Sequence, residues 1–314
     1  MTTSTTEPTG VAQVLTPSGL EIYYQSGPKR LYRIRHTPRV DVTGYSPNGE
    51  LEWLPASDEP TDWQEVPSVS TVLGVLDKPA LVWWGMKVGV EGLMTLIHDG
   101  DVLQPDDEFF LWDQEGDREL ATADDVVALL TRNKLTVNHQ RDKAADRGTN
   151  VHSALEAWAE TGITPDPRFY PENERGYVQG LVNFINDAHP HPLQSEVMVA
   201  SLDGYAGRFD LLANLDFAGK VVTKTYPKRE DKREQQSGAF IIDLKTSAKT
   251  YPSHALQLAA YRHAMTECGY GEIDHAAVLR VTSDGRYELV EAKAEYSDFL
   301  AVLSAYRALQ KDLF

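Results

Sequence analysis

A single cysteine, Cys268, occurs in the 314 residues, so no disulfide can form within the chain, which suits a reducing cytoplasm. Long apolar runs are also missing. The most apolar segment, Ala80 to Ile97, is interrupted by Lys87 and Glu91, and no stretch reaches membrane-spanning length free of charge. Positive charge is scarce: 30 Lys and Arg stand against 47 Asp and Glu, a net charge of -17, which argues against non-specific coating of nucleic acid and leaves the local distribution to decide. There is no internal repeat and no Gly-x-x-x-x-Gly-Lys-Ser/Thr phosphate loop. The opening Met1-Thr2-Thr3-Ser4-Thr5-Thr6-Glu7-Pro8 lacks a basic and apolar leader, and residues 1–15 read as a disordered tail.

What charge there is comes in blocks. Acid gathers between Asp99 and Asp125, through Asp106, Asp107, Glu108, Asp113, Glu115, Asp117 and Glu119, and reads as a solvated surface. Base gathers at Lys220, Lys224, Lys228, Arg229, Lys232 and Arg233, which reads either as a loop that contacts backbone phosphates or as a solubilising loop of mixed charge.

The most informative segment is Gly238-Ala239-Phe240-Ile241-Ile242, an apolar run that reads as a buried strand and closes on Asp243-Leu244-Lys245. Side chains alternate along a strand, so Asp243 and Lys245 project from one face. An anion to hold Mg²⁺ beside a cation that orients water and offsets charge is what metal-assisted phosphodiester cleavage requires. Two similar triplets accompany it. Glu230-Asp231-Lys232 lies in a charged loop, and Glu291-Ala292-Lys293 ends an alternating strand with one polar face. By itself each triplet reads first as a surface ion pair.

Context separates them. Upstream, Gly204-Tyr205-Ala206-Gly207-Arg208-Phe209-Asp210-Leu211-Leu212 reads as a turn and a strand with a carboxylate inside a run suited to burial. Asp210 needs a partner there, either Arg208 on the same face or a metal shared with Asp243 if the two strands are neighbours. Glu196 lies on another apparent strand, Gln194-Ser195-Glu196-Val197-Met198-Val199, as a site residue or an exposed edge residue. Asp146 to Trp158 has helical periodicity, and His152 and Glu156, four apart, share its face. Neutral imidazole is a competent ligand beside carboxylates, for Mn²⁺ more than Mg²⁺. Downstream, Ser253 reads as the N-cap of a helix through Met265 on which Gln257 and Tyr261 share a face, lining the site or, for Tyr261, filling the core.

The series Gly148-Thr149-Asn150-Val151-His152, Glu196, Gly207-Arg208-Phe209-Asp210, Asp243-Leu244-Lys245-Thr246-Ser247 and Gln257-Leu258-Ala259-Ala260-Tyr261 resembles the RecB-type branch of the PD-(D/E)xK nucleases, and is similar to phage exonucleases and mitochondrial genome maintenance exonucleases. The likeness covers about Arg147 to Tyr261, with a looser echo in Pro67-Ser68-Val69-Ser70 ahead of Trp83 and Trp84. Those two tryptophans read as core, with stacking on unpaired bases as the alternative. The resemblance implies that His152, Asp210, Asp243 and the Leu244 carbonyl are metal ligands, with Lys245 as the catalytic lysine. Glu196, Gln257 and Tyr261 are supporting residues. Phe209 stands where the superfamily's name has Pro, a replacement common in this branch. The iron–sulfur cluster of some relatives needs four cysteines and is excluded here. Without a phosphate loop, any unwinding motor is a separate protein.

The expected fold is α/β: a restriction-endonuclease-like core with a mixed central sheet flanked by helices, and an N-terminal extension rich in strands and helices. The expected divisions are 16–135 for the extension and 136–314 for the nuclease core. The expected activity is an Mg²⁺- or Mn²⁺-dependent deoxyribonuclease, an exonuclease by family weight, acting in recombination, replication or repair in a cytoplasm, a host's if the chain is phage-encoded. Expected partners are DNA with a free end or a single-stranded stretch, and recombination or replication proteins, with no membrane. The competing readings are a silent nuclease-fold protein that binds DNA or a partner, and an acidic decoy resting on the Asp99–Asp125 block.

Overall fold

The apolar patterns resolve into elements in a computed structural model that describes residues 11–26, 31–36, 63–76, 79–104, 108–113, 115–217 and 236–311. In chain order these are β1 (Val11–Leu15), β2 (Leu20–Gln25), β3 (Leu31–His36), β4 (Gln64–Val66), α1 (Val69–Val72), α2 (Pro79–His98), β5 (Phe110–Trp112), β6 (Arg118–Leu120), α3 (Ala123–Arg132) and α4 (Val137–Thr161). There follow α5 (Glu172–Ala188), β7 (His191–Ser201), β8 (Tyr205–Phe217), β9 (Gln236–Lys245), α6 (Pro252–Glu267), β10 (His275–Val281), β11 (Tyr287–Glu291) and α7 (Tyr296–Leu309). Two compact units are formed, Met1–Leu76 with Val151–Phe314, and Asp77–Asn150; the sequence had placed one division at 135/136. Among the described residues no helix is long and apolar enough to cross a membrane.

The larger unit is built on a five-stranded mixed sheet of order β11-β10-β9-β8-β7, in which β9 and β10 run parallel and the other neighbours antiparallel. Helices cover both faces. Phe240, Ile242 and Leu244 of β9 pack with Val151, Leu155 and Trp158 of α4 and with Val178, Leu181 and Phe184 of α5. Ile241 packs on the other side with Leu258, Ala260 and Tyr261 of α6, Phe299 and Leu303 of α7, and the four-stranded sheet β1-β2-β3-β4. Cover on both faces is why β9 reads as a continuous apolar run and not an alternating one.

Several boundaries differ from expectation. The tail assigned to 1–15 includes a strand, since Val11–Leu15 pairs with Glu21–Gln25; residues 1–10 lie outside the described residues. Helix α5 was not foreseen, although Val178, Leu181, Phe184, Ile185 and Ala188 have helical spacing and are buried. The N-cap of α6 is Tyr251, not Ser253, because Pro252 takes the first helical turn, where its missing N–H costs nothing. The basic stretch Lys220–Arg233 and the triplet Glu230-Asp231-Lys232 lie outside the described residues.

In the smaller unit α3 opens on a capping box between Thr122 and Asp125, which draws part of the acidic block into a helix start. Gly92 lets α2 approach Leu130, since a Cβ there would lie 2.8 Å from the Leu130 Cδ2. Trp83, expected as core, is 71% exposed.

Candidate metal and phosphodiester site

The site forms where two neighbouring strands part. The β8–β9 ladder runs from Phe217 opposite Gln236 to Leu211 opposite Ile242 and ends there. One step further, that register would set Asp210 directly against Asp243, and like charges so placed destabilise an antiparallel pair. The N–H of Leu244 donates instead to the Asp210 carboxylate, 2.6 Å from Oδ2. Strand β9 remains paired with β10 as far as Lys245 opposite Arg280, so the parting opens only on the β8 side.

Three donors converge on this opening. His152 comes from α4 and sets Nδ1 2.8 Å from the Asp210 Oδ1. Glu196 comes from β7, whose residues Ser195 and Val197 pair with Leu211 and Phe209. Its φ of 49° lies in the left-handed region, a costly conformation for a residue with a long side chain and one that clusters at functional positions. One ligand atom each from His152, Glu196 and Asp210 lie within 4.8 Å of one another. A neutral imidazole beside two carboxylates suits Mn²⁺ or Mg²⁺ chemistry.

Electrostatics distinguishes the groups. Burial pulls the His152 imidazole down, but the Asp210 carboxylate outweighs it and holds the ring above its ordinary value. Burial pushes Asp210 up, but His152, Lys245 and the Leu244 N–H together hold it below the usual carboxylate range. Asp243 goes the other way: burial raises it, Lys245 opposes and Asp210 adds to the rise. Glu196 is likewise raised by burial against the pull of Arg208.

Asp243 and Lys245 form an ion pair, Oδ2 to Nζ 2.5 Å, with Asp243 almost fully buried. The Asp243 carboxylate therefore turns to Lys245, and Glu196, expected only as a supporting residue, completes the compact donor set with His152 and Asp210. Leu244 contributes through its N–H to Asp210. Gln257 donates to the Tyr261 hydroxyl at 2.9 Å, and burial, with Asp243 adding to it, raises that phenol. Tyr261 also explains Gly207: a Cβ there would lie 2.5 Å from the Tyr261 ring. The Pro67-Ser68 echo docks on the same strand, as Ala206 donates to the Pro67 carbonyl and Ser68 N-caps α1.

Arg208, one of the two partners weighed for Asp210, pairs with Glu196, Nε to Oε2 2.5 Å. His254 and Arg280 were missed. His254 is pulled down to about 4 by burial and by Lys245. Arg280 lies beside Lys245 in register, is paired with Glu288, and donates to the Ala248 carbonyl in the loop after β9. A charged residue ending the buried run Ala276–Leu279 was the available signal for Arg280.

No protein-family model matches the chain, and no curated protein matches it significantly. Among solved structures, the crystal structure of SSO0001 is similar over 46% of this chain at 15% identity and a TM-score of 0.25. The chain spans 64% of that protein's length, and a likeness this slight carries no argument.

Proposed function

We propose that the chain is a metal-dependent deoxyribonuclease with a restriction-endonuclease-like core of the RecB type, acting from DNA ends. The observation that carries this reading is the placement of the His152, Glu196 and Asp210 donors next to the Asp243–Lys245 pair, where the β8–β9 ladder ends. The donor set fits a divalent cation. Its atoms are close enough to share one ion, and the two carboxylates bring opposite charge into a buried place where an unpaired anion is costly. His152, Glu196 and Asp210 would hold Mg²⁺ or Mn²⁺, and the bound ion would supply Lewis acidity toward a phosphodiester and acidify water.

The chain's own residues do the rest. Lys245, ion-paired to Asp243, presents an ammonium that orients the attacking water and offsets the charge that develops on phosphate oxygens. Asp243 holds that ammonium in place. The Leu244 N–H fixes the carboxylate plane of Asp210 and with it the face offered to the cation. Gln257 holds the buried Tyr261 hydroxyl on α6, close enough to Asp243 for the carboxylate to raise the phenol. A silent DNA-binding protein would have no use for a buried Asp-Lys pair abutting a metal donor set.

The test is digestion of end-labelled single- and double-stranded DNA, with a closed circular control, in Mg²⁺, Mn²⁺ and EDTA. Loss of labelled ends in metal, an intact circle and no cleavage in EDTA are expected. Undiminished cleavage in EDTA would overturn the metal assignment, and binding without cleavage would favour the silent reading.

A further inference from the structure

Arg208, beside the donor set, has no task in this mechanism. Arg208 lies two residues before Asp210 on β8, and its guanidinium carbon is 5.4 Å from the centre of the Tyr24 ring. Tyr24 belongs to the inner face of the four-stranded sheet and is itself buried, so the guanidinium rests on a fixed surface. The side chains of the site grade outward: Asp243 is 3% exposed, Asp210 12%, Glu196 20%, Lys245 22%, His152 30% and Arg208 37%. Arg208 is the most exposed of these six side chains, so a polyanion can reach it.

Its contact with Glu196 is through Nε, and one carboxylate oxygen does not take up the five donors of a guanidinium. Glu196 is also the donor that a cation would share with His152 and Asp210, and a carboxylate shared with a metal holds its arginine less tightly. A planar fork held on an aromatic ring matches a phosphate's geometry as a lysine would not. On the nuclease reading above, we infer that Arg208, carried on Tyr24, is a binding position for a backbone phosphate of the nucleic-acid strand. Arg208 would seat that strand before Lys245 acts and is not part of the cleavage step.

The experiment measures binding of a short fluorescein-labelled oligo-dT by anisotropy over a series of salt concentrations, with Ca²⁺ replacing Mg²⁺ so that the strand stays intact. Mn²⁺ affinity is measured in parallel by electron paramagnetic resonance. Arg208→Gln is expected to weaken DNA binding about tenfold. It should flatten the slope of log K against log salt by about 0.7, the share of one phosphate contact on a single strand, with Mn²⁺ affinity no weaker than in the wild type, since Glu196 loses a competing cation. Arg208→Lys should restore the slope and only part of the affinity. An unchanged slope, or a loss of Mn²⁺ affinity that accounts for the weaker binding, would overturn the inference and leave Arg208 as a prop for Glu196. A wild type that binds DNA but does not cut it would sink the nuclease reading, while the slope of Arg208→Gln would still decide the phosphate position. A wild type that does not bind DNA would overturn both.

Discussion

Asp243-Leu244-Lys245 and Glu291-Ala292-Lys293 have the same chemistry and lie at the ends of strands in the same sheet, yet only one sits in a site. The difference is strand order and direction. β9 is the central strand, and its end faces the gap beside the part of β8 that precedes Leu211 and is not paired with it. β11 is an edge strand running antiparallel to β10, so Glu291 comes to rest beside Ala277, near the start of β10 and at the opposite end of the sheet from Lys245 and Arg280. There it pairs with His275, Oε1 to Nδ1 3.3 Å, and Lys293 is exposed. An acid-x-Lys triplet becomes a candidate for chemistry only when topology sets it against other donors that burial forces together.

The comparison is broken most directly at the two lysines. Lys245→Ala is expected to lower metal-dependent cleavage by at least about 10²–10³-fold, the usual cost of removing one preorganised charge-stabilising donor, with Mn²⁺ affinity by calorimetry retained. Full activity in that variant would return Asp243-Leu244-Lys245 to the status of an ion pair.

A second effect depends on pH. The proton on His152 competes with a cation, and the Asp210 carboxylate holds that proton above the ordinary histidine value of 6.5. Apparent Mn²⁺ affinity should therefore begin to fall, on acidification, already above pH 6.5, by about tenfold per unit. Stability of the metal-free protein moves the opposite way: the His152–Asp210 contribution is complete below pH 6.5 and is lost as pH rises through the raised folded-state value. Metal titrations and metal-free thermal melts across the same pH range check both signs.

These contrasts also mark what could be read from the sequence. The succession of β7, β8 and β9 along the chain and the helix bearing Gln257 and Tyr261 followed from apolar runs and turn residues, because those are local signals; the pairing of the Asp210 and Asp243 strands was left open and is supplied by the sheet. The divergence of β8 from β9 was not legible, since it depends on register, and register showed only that Asp210 and Asp243 would collide. Glu196 was left open between a site residue and an exposed edge residue; it does lie on the outer strand β7, but its left-handed backbone and its approach to His152 belong to the tertiary structure. Arg208 was weighed only as an alternative partner for Asp210, and its pairing with Glu196 on the neighbouring strand needed the strand register.

A smaller effect, on stability, tests the packing that keeps the site side different from the edge. Gly207→Ala would press a Cβ to 2.5 Å from the Tyr261 ring, which Phe209 and α6 hold in place. Overpacking of this kind is expected to cost about 1–3 kcal/mol, read as a lower denaturation midpoint, and to shift Tyr261 away from Gln257. A variant as stable as wild type would mean that the ring yields easily and does not fix the wall of the site.

The least effect is expected at the edge triplet, and its smallness is what gives the larger effects meaning. Glu291→Gln removes a partly exposed pair with His275 that is worth at most about 1 kcal/mol, because water and mobile ions screen it. Lys293→Ala removes an exposed side chain, for which changes stay within about 0.5 kcal/mol. Both variants should cleave DNA at the wild-type rate within about twofold, since neither touches the donor set or its buried partners. If Lys293→Ala instead lowered cleavage as Lys245→Ala does, both ends of the sheet would contact the strand and the site would extend across it. Retained activity at Lys293 with lost activity at Lys245 assigns the chemistry to the gap between β8 and β9.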